Sequence, residues 1–229
     1  MLLGSANSSP PYRIEPDVPG WDFYPAKSSP WKTLKQHSLE TAAVMTALTE
    51  YFPSLKTLLP EHFAFFALTH DCGKISSAFL SEEGFRDWFR REFGPAAGTV
   101  AGKERHEVIS ESALRVFFGG RSDHAECIAG WHHGKRNADV AGTYGGPAWN
   151  RARAKMLDEA IRLIPPPAKI LPAWQQMVCA GVLCVADWIA SGEENFTGRA
   201  ADSSPEELLP EAREILRRIG FTPPEIRSG

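Results

Sequence analysis

Histidine and aspartate recur at five stations along this chain: His37, the pair His70-Asp71, His106, the pair His132-His133, and Asp187. Imidazole nitrogen and carboxylate oxygen are common ligands for divalent transition metals. A lone histidine on an apolar helix face is ordinarily a hydrogen-bonded core residue, but adjacent pairs are harder to explain in that way. Neighbours on a helix diverge by about 100°, so a pair can grip two ions, or one ion from two sides. Asp187 is the sharpest anomaly. It lies in VCAGVLCVADWIAS, on one helical stripe with Ala180, Cys184 and Ser191. An unpaired buried carboxylate is costly, so a partner is expected. A mid-helix position argues against a cap, and the neighbouring turns offer no cation, which leaves a metal or a buried hydrogen-bonded aspartate.

The stations fall on different expected helices, so five helices would converge on one inner cluster. A zinc-finger arrangement is excluded because thiolates at short spacing are missing. The set suits an open site for one or two transition metals that activate water and stabilise an oxygen displaced from phosphorus. Lys74, one turn beyond His70, would neutralise a phosphate or hold the water network there; the alternative is a solvated lysine at a helix end.

Periodicity supplies the elements that must position these groups. Leu34, His37, Thr41, Val44, Leu48 and Tyr51 recur at three- and four-residue steps and predict a helix over 33–52. Pro60 is expected to open a second helix in which Phe63, Phe66, Ala67 and His70 share a face, with Gly73 as its stop. Further helices are expected at about 76–93, 106–118, 124–133, 147–164 and 173–191, with Pro165-Pro166-Pro167 separating the last two. A final amphipathic helix is expected near 205–219. No alternating strand pattern of useful length is visible, so the expected class is all-α. Residues 1–30, rich in Pro, Ser and Gly, read as an irregular arm pinned by Trp21, Phe23 and Tyr24. Residues 31–200 read as one helical domain carrying these groups, and 201–229 as a terminal helix, either solvated or a linker or docking segment.

The chain has 229 residues, 43% of them hydrophobic, enough for one sizeable core. A net charge of −3 gives no global case for a nucleic-acid or membrane partner. The cysteines, Cys72, Cys127, Cys179 and Cys184, form no C-x-x-C pair and read as reduced core residues. The N-terminus lacks a signal-peptide layout, and the longest apolar run, 177–186, is short for a bilayer. A cytoplasmic protein is expected.

The order H…HD-x-GK…RH…HHG…ADWI-x-S resembles the HD phosphohydrolase superfamily. It is most similar to the HD nuclease domain of the CRISPR-associated type I helicase-nuclease, over roughly 30–195. The RHE…S element at 105–110, HHG at 132–134 and ADWIAS at 186–191 carry the resemblance to that branch. The resemblance implies an HD-domain helical bundle with a central site for two divalent transition-metal ions, such as Fe2+, Mn2+, Ni2+ or Co2+. His37, His70, Asp71 and Asp187 would hold the first. Asp71 would bridge to the second, completed by His106, His132 and His133. A metal-activated water would attack the phosphodiester of single-stranded DNA in line, with Asp71 and Lys74 as catalytic residues. Implied partners are single-stranded DNA, a CRISPR helicase in cis or in trans, and the type I surveillance complex of a prokaryotic antiviral defence. His62 and His124 match nothing in the pattern and read as surface residues.

A helicase would bring a G-x-x-x-x-G-K-[ST] phosphate loop, which the chain lacks. Arg105, Lys135 and Arg136 are candidate substrate contacts, within a wider basic set that includes Lys103, Arg151, Arg153 and Lys155. Trp131, Tyr144 and Trp149 are candidate stacking residues; the alternative is solvated charge and core aromatics. Two other functions compete: a phosphohydrolase for dNTPs or cyclic nucleotides, and a non-catalytic helical module.

Overall fold

The computed structural model describes residues 19–94, 104–119, 125–134, 146–197 and 203–221. It is built almost wholly of helices, with one two-stranded antiparallel sheet among the described residues. The axis of the fold is α1 (Leu34–Tyr51). Its first turn is capped by Thr33, whose hydroxyl accepts the Gln36 N–H at 3.2 Å. The expected single apolar face understates this helix, because 14 of its 18 residues are buried. Ala42, Ala43 and Ala47 are small enough to let α3 (Ala64–Thr69), α9 (Ala173–Ala190) and α10 (Pro205–Arg218) pack on separate sides. A helix covered all round in this way belongs to the core.

Three expectations are corrected. The helix proposed from Pro60 begins only at Ala64, after a tight turn in which His62 takes φ 60°. A short helix, α2 (Pro53–Leu58), precedes it, opened by proline in the first turn. The stretch 76–93 is two helices, α4 (Ser77–Leu80) and α5 (Arg86–Phe93), because Ser81 to Phe85 turn between them. Part of the expected arm is a hairpin: β1 (Pro25–Ser28) pairs with β2 (Trp31–Thr33), Lys27 opposite Lys32. Trp21 and Tyr24 bury themselves as expected.

The hairpin is tied down by one buried lysine. Lys32 pairs with Glu40 at 2.6 Å and donates to the carbonyls of Ala190 and Asn195 at 3.1 Å each. It thereby joins β2 to α1 and to the C-terminal end of α9, where exposed carbonyls favour a cation. The remaining long elements are α6 (His106–Phe117), α7 (Ala125–Trp131) and α8 (Gly146–Leu163). α10 is no solvated appendage. Its Leu208, Ala212, Ile215 and Leu216 pack on α1, and a capping box of Ser204 and Glu207 starts it.

By length and composition alone α9 matches a membrane-crossing segment, a wider window than the run at 177–186. Its buried face packs on α1 and α7, while Trp174, Met177 and Trp188 are exposed. All four cysteines are free thiols.

Candidate metal centre

The local fold at His70-Asp71 explains why both side chains reach one place. His70 is the C-cap of α3, still with helical backbone angles, and its backbone N–H donates to the Phe66 carbonyl. At Asp71 the backbone moves to φ −100°, ψ 12°, and the chain tightens into a 3-10 turn, Cys72–Lys74. In that geometry side chains three apart eclipse one another. Lys74 therefore folds back over Asp71, and its ammonium lies 2.6 Å from Asp71 Oδ2. The lysine is buried, so the solvated helix-end alternative does not hold. Gly73 is not a helix stop but a point of close approach. A Cβ there would lie 1.9 Å from the His106 carbonyl oxygen, so only glycine lets the turn seat against α6. The Gly73 N–H donates to Ser110 Oγ at 2.8 Å, fixing the contact.

Two groups of potential ligands result. In the first, His37 from α1, His70, Asp71 and Asp187 from α9 are all buried, and their ligand atoms lie within 4.8 Å of one another. His37 Nε2 is 2.9 Å from Asp187 Oδ1 and 3.3 Å from Asp71 Oδ2. His70 Nε2 is 3.3 Å from the same Asp71 oxygen. The second group is His106 from α6 with His132 and His133, which follow α7, and it is open to solvent on the His133 side. His106 and His133 bring their Nε2 atoms to 3.0 Å. Asp71 joins the two groups through its other oxygen: Oδ1 lies 3.3 Å from His106 Nε2 and 3.5 Å from His132 Nε2.

Two rings are locked from behind. His70 Nδ1–H donates to the Ala67 carbonyl at 2.8 Å, and His132 Nδ1–H to the Ala129 carbonyl at 2.5 Å. Each bond commits Nδ1 to the backbone and turns Nε2 toward the cluster, so that Nε2 is the ring atom left for a metal. Asp187 is steadied by Ser191, whose hydroxyl donates to Oδ1 at 3.2 Å.

Charge in the cluster is strongly polarised. Burial works against an imidazolium at His70, but Asp71 and Asp187 outweigh it and lift the ring to about 10. Burial likewise opposes ionisation of Asp71, yet His70 and Lys74 hold its carboxyl well below the usual range. Asp187 is held low by His37 and His70 against the same penalty. In the outer group the sign reverses. Burial lowers His106, and burial together with His132 and His106 lowers His133 to about 4. The outer rings His106 and His133 therefore offer neutral nitrogens at pH 7, and the inner carboxylates offer anionic oxygens.

This donor set fits divalent cations. His37 Nε2, His70 Nε2, His132 Nε2 and both Asp71 oxygens are buried and lack a hydrogen bond of acceptable geometry. Such atoms are rare in folded proteins, and here five of them converge on adjacent spaces. Mixed imidazole and carboxylate ligands suit Fe, Mn, Co or Ni rather than a thiolate-selected ion.

The profile of the family described as Cas3, HD domain, matches residues 24–196. The chain belongs to the Cas3 HD-domain family. Domains of this family are metal-dependent hydrolases of the nuclease type. A solved structure described as a CRISPR-associated protein superposes with a TM-score of 0.63 at 26% identity, covering 93% of this chain and 28% of the other. Cas3 from T. fusca superposes with a TM-score of 0.60 at 24% identity, covering 88% of this chain and 26% of that one, and shares the fold. The chain thus spans little more than a quarter of the length of these structures. No curated protein matches it. The all-α HD bundle expected from the motifs is the observed fold, and the setting is that of a CRISPR-associated HD nuclease.

The candidate substrate contacts are less concentrated. Arg105 sits at the N-terminus of α6, half exposed and paired with Glu107. It lines a 410 Å³ pocket with Glu82, Glu83, Arg86 and Glu104. Lys135 and Arg136 lie outside the described residues, as do Lys103, Tyr144 and His124. Arg153 is no surface charge: it is buried and donates to the Ile75 carbonyl at 2.7 Å. Trp149 packs into an aromatic cluster with Phe89, Phe93 and Tyr24. Sequence reasoning missed Lys27 of β1, a half-buried lysine whose charge neighbours include Asp71, Asp187 and Lys74. Its only sequence signal was a lone cation in an apolar stretch, FYPAKSS.

Proposed function

We propose that the chain is a nuclease that hydrolyses phosphodiester bonds of single-stranded DNA, using two divalent transition-metal ions. The observation that carries this reading is Asp71, whose two oxygens face two separate imidazole groups. His37, His70, Asp71 and Asp187 would hold one ion, and His106, His132 and His133, with Asp71 shared, the other. When bound, such ions lower the pKa of water and stabilise negative charge on the departing oxygen.

The protein's own residues supply orientation and charge. Asp71 sets the spacing between the two positions. The carbonyls of Ala67 and Ala129 hold Nδ1 of His70 and His132 and leave Nε2 of each ring for a metal. Lys74, held against Asp71, places a positive charge beside the site and offsets the negative charge that accumulates on phosphorus oxygens. Arg105 at the exposed rim is a second anion contact, with Lys135 and Arg136 following His133 in sequence. The strand would enter on the His133 side, where the site is open.

Single-stranded DNA, a CRISPR helicase in cis or in trans and the type I surveillance complex are the proposed partners, in the cytoplasm of a prokaryote defending itself against viruses. The test is incubation of metal-stripped protein with labelled single-stranded DNA, with and without Mn2+, Ni2+ or Fe2+. Cleavage restored by metal in wild type and absent from Asp71→Ala is expected. No metal-dependent cleavage, or equal cleavage by the variant, refutes the proposal. Hydrolysis of dNTPs or cyclic nucleotides in parallel samples without DNA cleavage would favour a small-nucleotide enzyme.

A further inference from the structure

Three lysines approach the centre from the hairpin and the 3-10 turn, and one differs from the others. Lys32 and Lys74 each lie 2.6 Å from a carboxylate oxygen, of Glu40 and Asp71 respectively. Lys27 has no ion pair among the described residues, although it is half-buried. Residues opposite one another in an antiparallel ladder project to the same side of the sheet. Lys27 is opposite Lys32, whose side chain reaches Ala190 at the end of α9, one turn from Asp187. The preceding residue, Ala26, accepts a hydrogen bond from Lys74 Nζ at 3.4 Å, so β1 runs directly over the Asp71–Lys74 pair.

On the nuclease reading above, we propose that Lys27 is a phosphate-binding residue of the site, contacting the backbone of the DNA strand next to the His–Asp groups. A lysine that has lost part of its hydration without gaining a partner carries an unmet demand for an anion. Burial and the nearby ammonium of Lys74 lower the Lys27 ammonium from its usual value, and Asp187 and Asp71 act in the opposite sense. Those carboxylates face the imidazole groups and Lys74 and are committed there. Ligation by metal would tie them up further. A phosphodiester oxygen arriving between Lys27 and Lys74 would meet two ammonium groups, one of them with no ion-pair partner among the described residues.

The test compares wild type, Lys27→Gln and Lys27→Arg as full chains. Binding of a short fluorescein-labelled oligothymidylate to EDTA-treated protein is followed by anisotropy over a range of salt. Metal content after Mn2+ loading, and the melting temperature, are measured on the same samples. Lys27→Gln is expected to weaken binding about 10-fold and to flatten the salt dependence by about 0.7, the value for one lost contact to a single strand. Metal content and melting temperature should not move, Lys27→Arg should keep the slope, and in Mn2+-loaded cleavage KM should rise more than kcat falls. An unchanged affinity and slope in Lys27→Gln overturns the proposal while leaving the nuclease reading standing. So does a loss of metal or of melting temperature that accounts for the weaker binding. Failure of wild type to bind or cleave the strand removes both.

Discussion

Replacing Asp71 with asparagine tests two roles, as counter-anion of Lys74 and, on the two-ion reading proposed above, as shared ligand. Its Oδ2 lies 2.6 Å from Lys74 Nζ in a buried setting. At an effective dielectric constant of ~20 that contact alone amounts to about 6 kcal/mol of attraction, before desolvation is subtracted. Removing one member of a buried pair has a net cost of ~3–5 kcal/mol, because the other charge is left uncompensated. His70 can relieve part of this by shedding its proton, since Asp71 is a main reason that it holds one. Lys74 Nζ would be left with the Ala26 carbonyl at 3.4 Å, so Asp71→Asn should still lower the stability of metal-stripped protein by ~3 kcal/mol or more in urea unfolding. Metal content after loading and dialysis tests the second role. Asp71→Asn should lose ions from both positions, whereas Asp187→Asn should lose only the one held with His37 and His70. A variant of Asp71 that keeps one ion at wild-type affinity would refute the shared-ligand geometry. A stability change below ~1 kcal/mol would refute the dependence of Lys74 on its anion.

Lys32→Met leaves Glu40 buried without its cation and should destabilise the fold by ~3–5 kcal/mol in urea unfolding, with the double variant Lys32→Met/Glu40→Leu recovering most of it. Gly73→Ala forces a Cβ to 1.9 Å from the His106 carbonyl, so the N-terminus of α6 must move. A cost of ~1–3 kcal/mol from overpacking, read from thermal melts, should come with weaker metal uptake at the His106 group and a normal inner group. Glu50, held below its usual pKa chiefly by its hydrogen bond to Arg213, joins α1 to α10. The lowered value means that its contribution is present above the unfolded carboxyl pKa and disappears as pH falls through the folded one. Glu50→Gln should therefore be slightly less stable than wild type at neutral pH, and the gap should close on acidification, as followed by urea midpoints at several pH values.

The helices and the histidine and aspartate stations were legible because both depend on local regularities. Apolar spacing marks a helix, and a histidine or aspartate inside such a stretch stands out against it. The five stations do meet in space, with Asp71 between two groups. What escaped notice depended on neighbours remote in sequence. α1 reads as amphipathic because its Thr, Ser and Glu residues look solvent-facing, yet Glu40 is buried by Lys32 and Ser38 lies inside the fold. For Lys74 the sequence leaves two readings, site residue or solvated helix end, until the 3-10 turn is known to eclipse it with Asp71. Gly73 reads as a stop because local rules say nothing about an approach from residues more than thirty positions away. The β hairpin is too short to show alternation, and Lys27 was hidden with it.

The difference in cover between the two ligand groups has a kinetic consequence. The inner group is buried at every member, while the outer one ends in an exposed His133 and a partly exposed His106. On the two-ion reading proposed above, an ion held by the inner group would exchange only when the surrounding helices open, so its turnover would be tied to the breathing of α1 against α9. An ion in the outer group would meet solvent directly. Chelators should therefore strip this protein in two phases. The position that would trade its ligands quickly is also the one that would be open to the proposed DNA strand.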